Sequence, residues 1–209
     1  MFEMQASLFT EYLIEDDNEY GWNRILLPLN VSVGLWRYLQ LGGGLTVSLA
    51  NPSGEVLNTH VFLRSSPIRQ LGIEAGVYLP DSWVSDEVGA LFRILSKYAF
   101  LEKILAIQGE VRVDHFSQRR WTVVEAHLGI LWSFLDQFYL AVFSGLHKDW
   151  LEGAPQTDVM FPFRVEAGFT SRKQVDVYAR WGWPKWGAQA TSMHEYWNRY
   201  MSLGIRFRY

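Results

Sequence analysis

Hydrophobic and polar residues alternate along most of the chain with a period of two, the period of a strand whose two faces meet unlike surroundings. The closing segment is the clearest case. From Tyr200 to Tyr209, Met201, Leu203, Ile205, Phe207 and Tyr209 fall on one face, and Ser202, Gly204, Arg206 and Arg208 on the other. The same pattern predicts a first strand over 2–13, with Phe2, Met4, Ala6 and Leu8 opposed to Glu3, Gln5 and Ser7, and then a polar loop over 15–24. A hairpin follows, made of Ile25 to Leu35, a tight connection at Trp36-Arg37-Tyr38, and Leu39 to Leu49 with Gly42, Gly44, Thr46 and Ser48 on its polar face. Asn51-Pro52-Ser53-Gly54 signals a turn. A less regular strand over 55–64 ends at Ser65-Ser66-Pro67, and residues 68–79 restore the alternation.

Residues 85–106 read in two ways. Val88, Leu91, Leu95, Tyr98 and Leu105 lie near helical spacing behind a Ser85 cap and acidic Asp86 and Glu87. The strand reading sets Val88, Ala90, Phe92 and Ile94 against Gly89 and Arg93, with a turn near 96–102. Further strands are expected at 105–114, 121–132, 138–147, 159–169 and 174–183, separated by a short turn at 135–137, a tight turn at 171–173, and loops at 115–120, 148–158 and 184–199. With the strand over 88–94 the count is twelve, and short connections alternate with longer ones throughout. A helix over 86–102 would leave eleven strands and break that rhythm. The expected fold is therefore all-β, an antiparallel up-and-down barrel of twelve strands.

Composition narrows where such a sheet can live. The 209 residues contain no Pro/Gly/Ser-rich linker or charge block, so residues 1–209 read as a single domain. Half of the chain is hydrophobic (49%), yet mean hydropathy is only -0.04, so greasy and polar residues are finely mixed. No run of 18 apolar residues exists to form a membrane helix, but a barrel crosses with strands of about 9–11 residues. Ten Trp and ten Tyr suit two interfacial girdles. Cysteine is absent, which removes disulfides and thiolate chemistry, and a net charge of -3 argues against a nucleic-acid partner.

The terminal ladder, ending on aromatic Tyr209, resembles the C-terminal strand of bacterial outer-membrane β-barrels, and the rhythm of strands and connections extends that resemblance over the whole chain. It implies a transmembrane barrel in the outer membrane, with short periplasmic turns and longer extracellular loops. It also implies contact with membrane lipids and lipopolysaccharide, and recognition by the barrel-assembly machinery through Met201 to Tyr209. No signal peptide is legible at Met1-Phe2-Glu3, so on this reading the sequence is a mature segment carrying an added Met.

With the apolar face toward lipid, the lumen is lined by Glu74, Arg93, Glu110, Arg112, Asp114, Glu125, His127, Arg164, Glu166, Asp176, Arg180, Arg206 and Arg208. Basic residues gather in the last three strands and acidic ones in strands five to eight, which predicts a transverse field like that of general porins and a narrow channel for small polar solutes or ions. Pairing of these charges between neighbouring strands is the plainer alternative. A soluble up-and-down barrel or β-sandwich would place the greasy face inward. An outer-membrane barrel enzyme, whether lipid hydrolase, lipid A modifying enzyme or protease, would draw on Glu125 with His127, or on His147 near Ser144, although Ser144 and His147 fall on opposite faces. A plugged structural or adhesive barrel would use Trp183, Trp186, Tyr196 and Trp197 around the longest loop. The five His residues show no metal-ligand spacing, and no cofactor is expected.

Overall fold

A computed structural model describes residues 2–15, 19–50, 56–80, 88–101, 104–134, 137–153, 159–171, 174–183 and 199–208. Among them the chain is an all-β, antiparallel up-and-down sheet. Its strands are β1 (Phe2–Glu15), β2 (Glu19–Trp36), β3 (Leu39–Ala50), β4 (Val56–Ile68), β5 (Leu71–Tyr78), β6 (Gly89–Phe100), β7 (Leu105–Phe116), β8 (Trp121–Phe134), β9 (Phe138–Leu151), β10 (Phe163–Ser171), β11 (Val175–Trp183) and β12 (Arg199–Arg208). Each strand pairs with its neighbours in sequence. β1 also pairs with β12, from Glu3 opposite Arg208 to Tyr12 opposite Arg199, so the sheet closes on itself as a barrel and leaves no free edge.

Alternation decides which face looks outward. Leu128, Ile130, Val142, Val177 and Leu203 are all more than a third exposed on the outer surface, while Phe62, Leu91, Ala141, Phe143 and Tyr178 are buried on the inner one. Two zones of rings bracket the outer apolar band. Trp132 with Phe134 (5.2 Å) and Phe138 with Phe169 (5.0 Å) lie at the turn rim. Phe163 with Trp183 (5.9 Å) and Trp181 with Trp183 (6.3 Å) lie at the loop rim.

Several boundaries differ from the sequence reading. Residues 89–100 form a strand and not a helix, and β6 runs on through the turn expected near 96–102 to Phe100, reversing at Leu101 with φ of 48°. The loop expected over 15–24 narrows, because β1 reaches Glu15 and β2 begins at Glu19. The backbone ladder between β1 and β2 continues through this region, with a register shift between Glu11 and Tyr12. Ser65-Ser66-Pro67 is not a turn but the irregular end of β4, with the register shift falling between Ser65 and Ile68. Proline lacks the N–H that the ladder needs and is accommodated at such an irregularity. β9 extends through Lys148 to Leu151, and β10 starts at Phe163, later than expected, with Met160 bridging His147 just before it. The turn expected at 51–54, most of the loop at 184–199 with Trp186, Tyr196 and Trp197, and Tyr209 lie outside the described residues.

Candidate functional site

The polar face of the sheet is organised by register. Arg64 on β4 lies opposite Glu74 on β5, Glu74 opposite Arg93 on β6, Arg93 opposite Arg112 on β7, Arg112 opposite Glu125 on β8, and Glu125 opposite His147 on β9. These six residues form one continuous row across the inner wall. Directly opposed side chains sit about 5 Å apart at Cβ, close enough to pair along the row. Arg64 donates to Glu74 Oε2 from Nε (2.8 Å) and Nη2 (2.6 Å), and Arg93 holds the other oxygen of Glu74 at 3.2 Å. Arg93 also reaches Glu110 at 3.0 Å. Arg112 contacts Asp114 at 2.7 Å and Glu125 at 3.6 Å, and donates to the Tyr78 hydroxyl at 2.5 Å. Tyr78 in turn donates to Asp114 at 3.2 Å.

A second set occupies the wall from β9 to β12. Tyr139 donates to Glu166 at 2.8 Å, Arg180 pairs with the other oxygen of Glu166, and Arg206 lies 4.0 Å from Asp176. Three guanidiniums also lie over inward rings: Arg164 over Phe143 (4.3 Å), Arg180 over Tyr178 (4.3 Å) and Arg64 over Phe62 (5.1 Å). Each of those rings faces a glycine across the ladder, Phe143 against Gly129, Tyr178 against Gly204 and Phe62 against Gly42. A Cβ at any of the three glycines would fall within the ring it supports. The wall is thus built in tiers, with bare backbone at the bottom, a flat ring upon it, and a cation on the ring held at a fixed height.

Inside the barrel is a cavity of about 750 Å³. Of the residues named from the sequence, Arg93, Glu110, Arg112, Glu125, His127, Arg164, Glu166, Asp176, Arg180 and Arg206 border it. Glu74 (1% exposed) and Asp114 (6%) face the same way but lie buried beneath the arginines they bind. The Arg208 side chain lies outside the described residues, although its backbone pairs with Glu3. Sequence reasoning missed Arg64, Lys97, His60, Tyr78 and Tyr139, which also border the cavity. Arg64 stands at even spacing from His60 and Phe62, and that parity was its available signal.

The signs are interleaved along the row from β4 to β9, and on β10 to β12 Arg180 and Arg206 stand beside Glu166 and Asp176, so charges pair between neighbours on both sides of the barrel. Glu125 is not hydrogen bonded to His127, which lies opposite Glu110; it bonds to His147 Nδ1 at 3.0 Å, and Asp149 lies 3.3 Å from the other ring nitrogen. Ser144, on the outer face, donates to the Pro162 carbonyl at 3.2 Å. Among the described residues no His/Asp/Glu group is arranged to hold a metal ion.

No protein-family model matches the chain, and no curated protein matches it in sequence. Solved structures do share its fold. The KdgM porin superposes with a TM-score of 0.60 at 11% identity over 99% of both chains. The NanC porin gives 0.60 at 11% identity over 100% of both, and an outer membrane channel from Pseudomonas putida F1 gives 0.62 at 14% identity over 99% of this chain and 94% of that one. At such identities the likeness is one of fold, and the fold is that of outer-membrane β-barrel porins.

Proposed function

We propose that this chain is an outer-membrane channel that passes small polar solutes or ions through a narrow, charged lumen. On this reading residues 1–209 act as one transmembrane barrel of twelve strands, with the short turns in the periplasm and the longer loops outside. Lipid and lipopolysaccharide surround it, and its last strand engages the assembly machinery. The observation that carries the reading is the ionic row from Arg64 to His147, facing an internal cavity inside a ring of strands whose outer face is apolar. Arg64, Arg93, Lys97, Arg112, Arg164, Arg180 and Arg206 border that cavity against Glu110, Glu125, Glu166 and Asp176, while Glu74 and Asp114 lie beneath the arginines, so the excess of positive charge on the surface met by a solute favours anions. Catalysis has weaker support, since no hydroxyl nucleophile stands beside the Glu125–His147 pair among the described contacts.

A liposome-swelling assay tests this reading. Vesicles carrying the protein should admit small organic anions faster than cations of equal size, and swelling no faster than in empty vesicles counts against a channel. The KdgM porin has been solved in complex with disordered oligogalacturonate, which makes that compound a useful larger probe. The lipid-facing assignment has its own test. Leu128 is 63% exposed at the middle of β8, and Leu128→Arg should cost about 2 kcal/mol in a bilayer, read as a lowered urea midpoint in vesicles. Were that face in water, the same change would fall within about 0.5 kcal/mol of neutral.

A further inference from the structure

One row of the inner wall lies outside the ionic pairing. By register Gln108 on β7 is opposite Gly129 on β8, Gly129 opposite Phe143 on β9, and Phe143 opposite Arg164 on β10. Arg164 is opposite Gly182 on β11, and Gly182 opposite Tyr200 on β12. The Tyr200 ring lies over Gly182, where an added Cβ would meet it, and so carries its hydroxyl to Arg164, which hydrogen bonds to it. Arg164 is thus held between two rings, 4.3 Å from the centre of Phe143 on one side and bonded to Tyr200 on the other. Arg64, Arg93, Arg112, Arg180 and Arg206 each have a carboxylate within 4.0 Å. Arg164 makes no ion pair with a carboxylate among the described residues, and its Nε is buried without an acceptor. Two residues from Gly129 on β8, His127 leans over Gly145 of β9, its Nδ1 2.8 Å from where a Cβ would stand. Neither His127 nor Gln108 makes a side-chain hydrogen bond to another described residue. Arg164, His127, Gln108, Glu110 and Phe143 line a recess of about 10 Å³, and the same five side chains border the main cavity. Such a volume takes about one oxygen-sized atom.

We propose that Arg164, His127 and Gln108 form a subsite in the lumen wall that binds the carboxylate of a small organic anion. The inference rests on the channel reading above and adds to it the place where a solute stops and the group by which it is held. A guanidinium offers parallel N–H bonds that match the two oxygens of a carboxylate, and the stack on Phe143 fixes the plane in which they point. The other arginines spend these donors on carboxylates of the wall, whereas those of Arg164 are left for a ligand. One carboxylate oxygen fills the recess, where the Gln108 amide and the His127 ring add hydrogen bonds. Local charge favours a monoanion. Glu110 borders the recess and Glu166 stands two residues from Arg164 on the same face of β10, so a dianion would meet two carboxylates for one guanidinium. A cation left unmatched in a wall of matched ones breaks a local rule, and such breaks mark functional sites.

The test uses the full-length barrel in detergent and reads binding by saturation-transfer NMR, with acetate and dianionic methylphosphonate as probes that share a methyl group. The parent should bind acetate saturably and methylphosphonate more weakly. Arg164→Lys keeps the charge and loses the paired donors, and should weaken acetate binding about tenfold. Gln108→Ala removes a neutral donor from the wall and should weaken it about fivefold. Heat-modifiable gel mobility checks that each variant is folded, and if Arg164→Lys fails that check Gln108→Ala decides alone. Acetate affinity unchanged in the folded variants overturns the subsite. Methylphosphonate binding as tight as acetate overturns the carboxylate assignment. Planar-bilayer recording separates the two levels: a parent that binds acetate through Arg164 and carries no current keeps the subsite and overturns the channel, and one that conducts without saturable acetate binding keeps the channel and overturns the subsite.

Discussion

Gly129→Val should leave little folded barrel to recover. Gly129 sits opposite Phe143 on the inner wall, a Cβ there would fall within the ring, and Phe143 is 5% exposed with Arg164 stacked on its other side. The ring therefore has backbone beneath it and a guanidinium over it, so an added side chain at Gly129 can be admitted only by breaking that stack. Overpacking of this kind costs about 3 kcal/mol. Phe143→Ala should cost a similar amount, about 3 kcal/mol, for the opposite reason, because it empties the space over the glycine. The informative result is the double variant. Gly129→Val/Phe143→Ala moves the side chain from one strand to the next, and should be more stable than the sum of the single losses by at least about 2 kcal/mol, measured from urea midpoints followed by heat-modifiable mobility. Strict additivity would show that ring and glycine do not act as a unit.

Glu74→Ala should be nearly as damaging, through charge. Glu74 is 1% exposed and accepts from Arg64 at 2.6 Å and from Arg93 at 3.2 Å, so removing it leaves two guanidiniums facing each other across an emptied strand position. Breaking a buried pair by deleting one partner costs about 3–5 kcal/mol, and the partial exposure of both arginines places this case near the lower end. Glu74→Gln keeps the volume and should lose less. Both variants release positive charge into the cavity, so protein that does fold should show an anion-to-cation permeability ratio above that of the parent, read from the reversal potential in a salt gradient. An unchanged ratio would mean that the row does not face the conducted ions.

How much of this was legible beforehand depends on whether a feature lives within one strand or between two. Inward placement of Glu74, Arg112, Glu166 and Arg180 follows from period two alone, and so does the outward ladder from Met201 to Phe207. Pairing between strands does not, because register depends on where each turn and bulge falls. The shift between Ser65 and Ile68 brings Arg64 level with Glu74, and no periodicity announces it. For the same reason the arginines of β10 to β12 looked like a basic wall in the sequence, whereas in the barrel Arg180 and Arg206 stand beside Glu166 and Asp176. Glycines posed a similar difficulty. Gly42 and Gly204 read only as small residues on the polar face, and the rings that lie across the ladder from them, Phe62 and Tyr178, are set by register between strands.

Single-channel recording of the purified protein in a planar bilayer tests the central claim most directly. The ionic row bordering a cavity inside a closed ring of strands predicts discrete, reproducible conductance steps that shift toward anions when Glu74 is neutralised. A properly folded, heat-modifiable barrel that inserts and carries no current above the lipid baseline would contradict it.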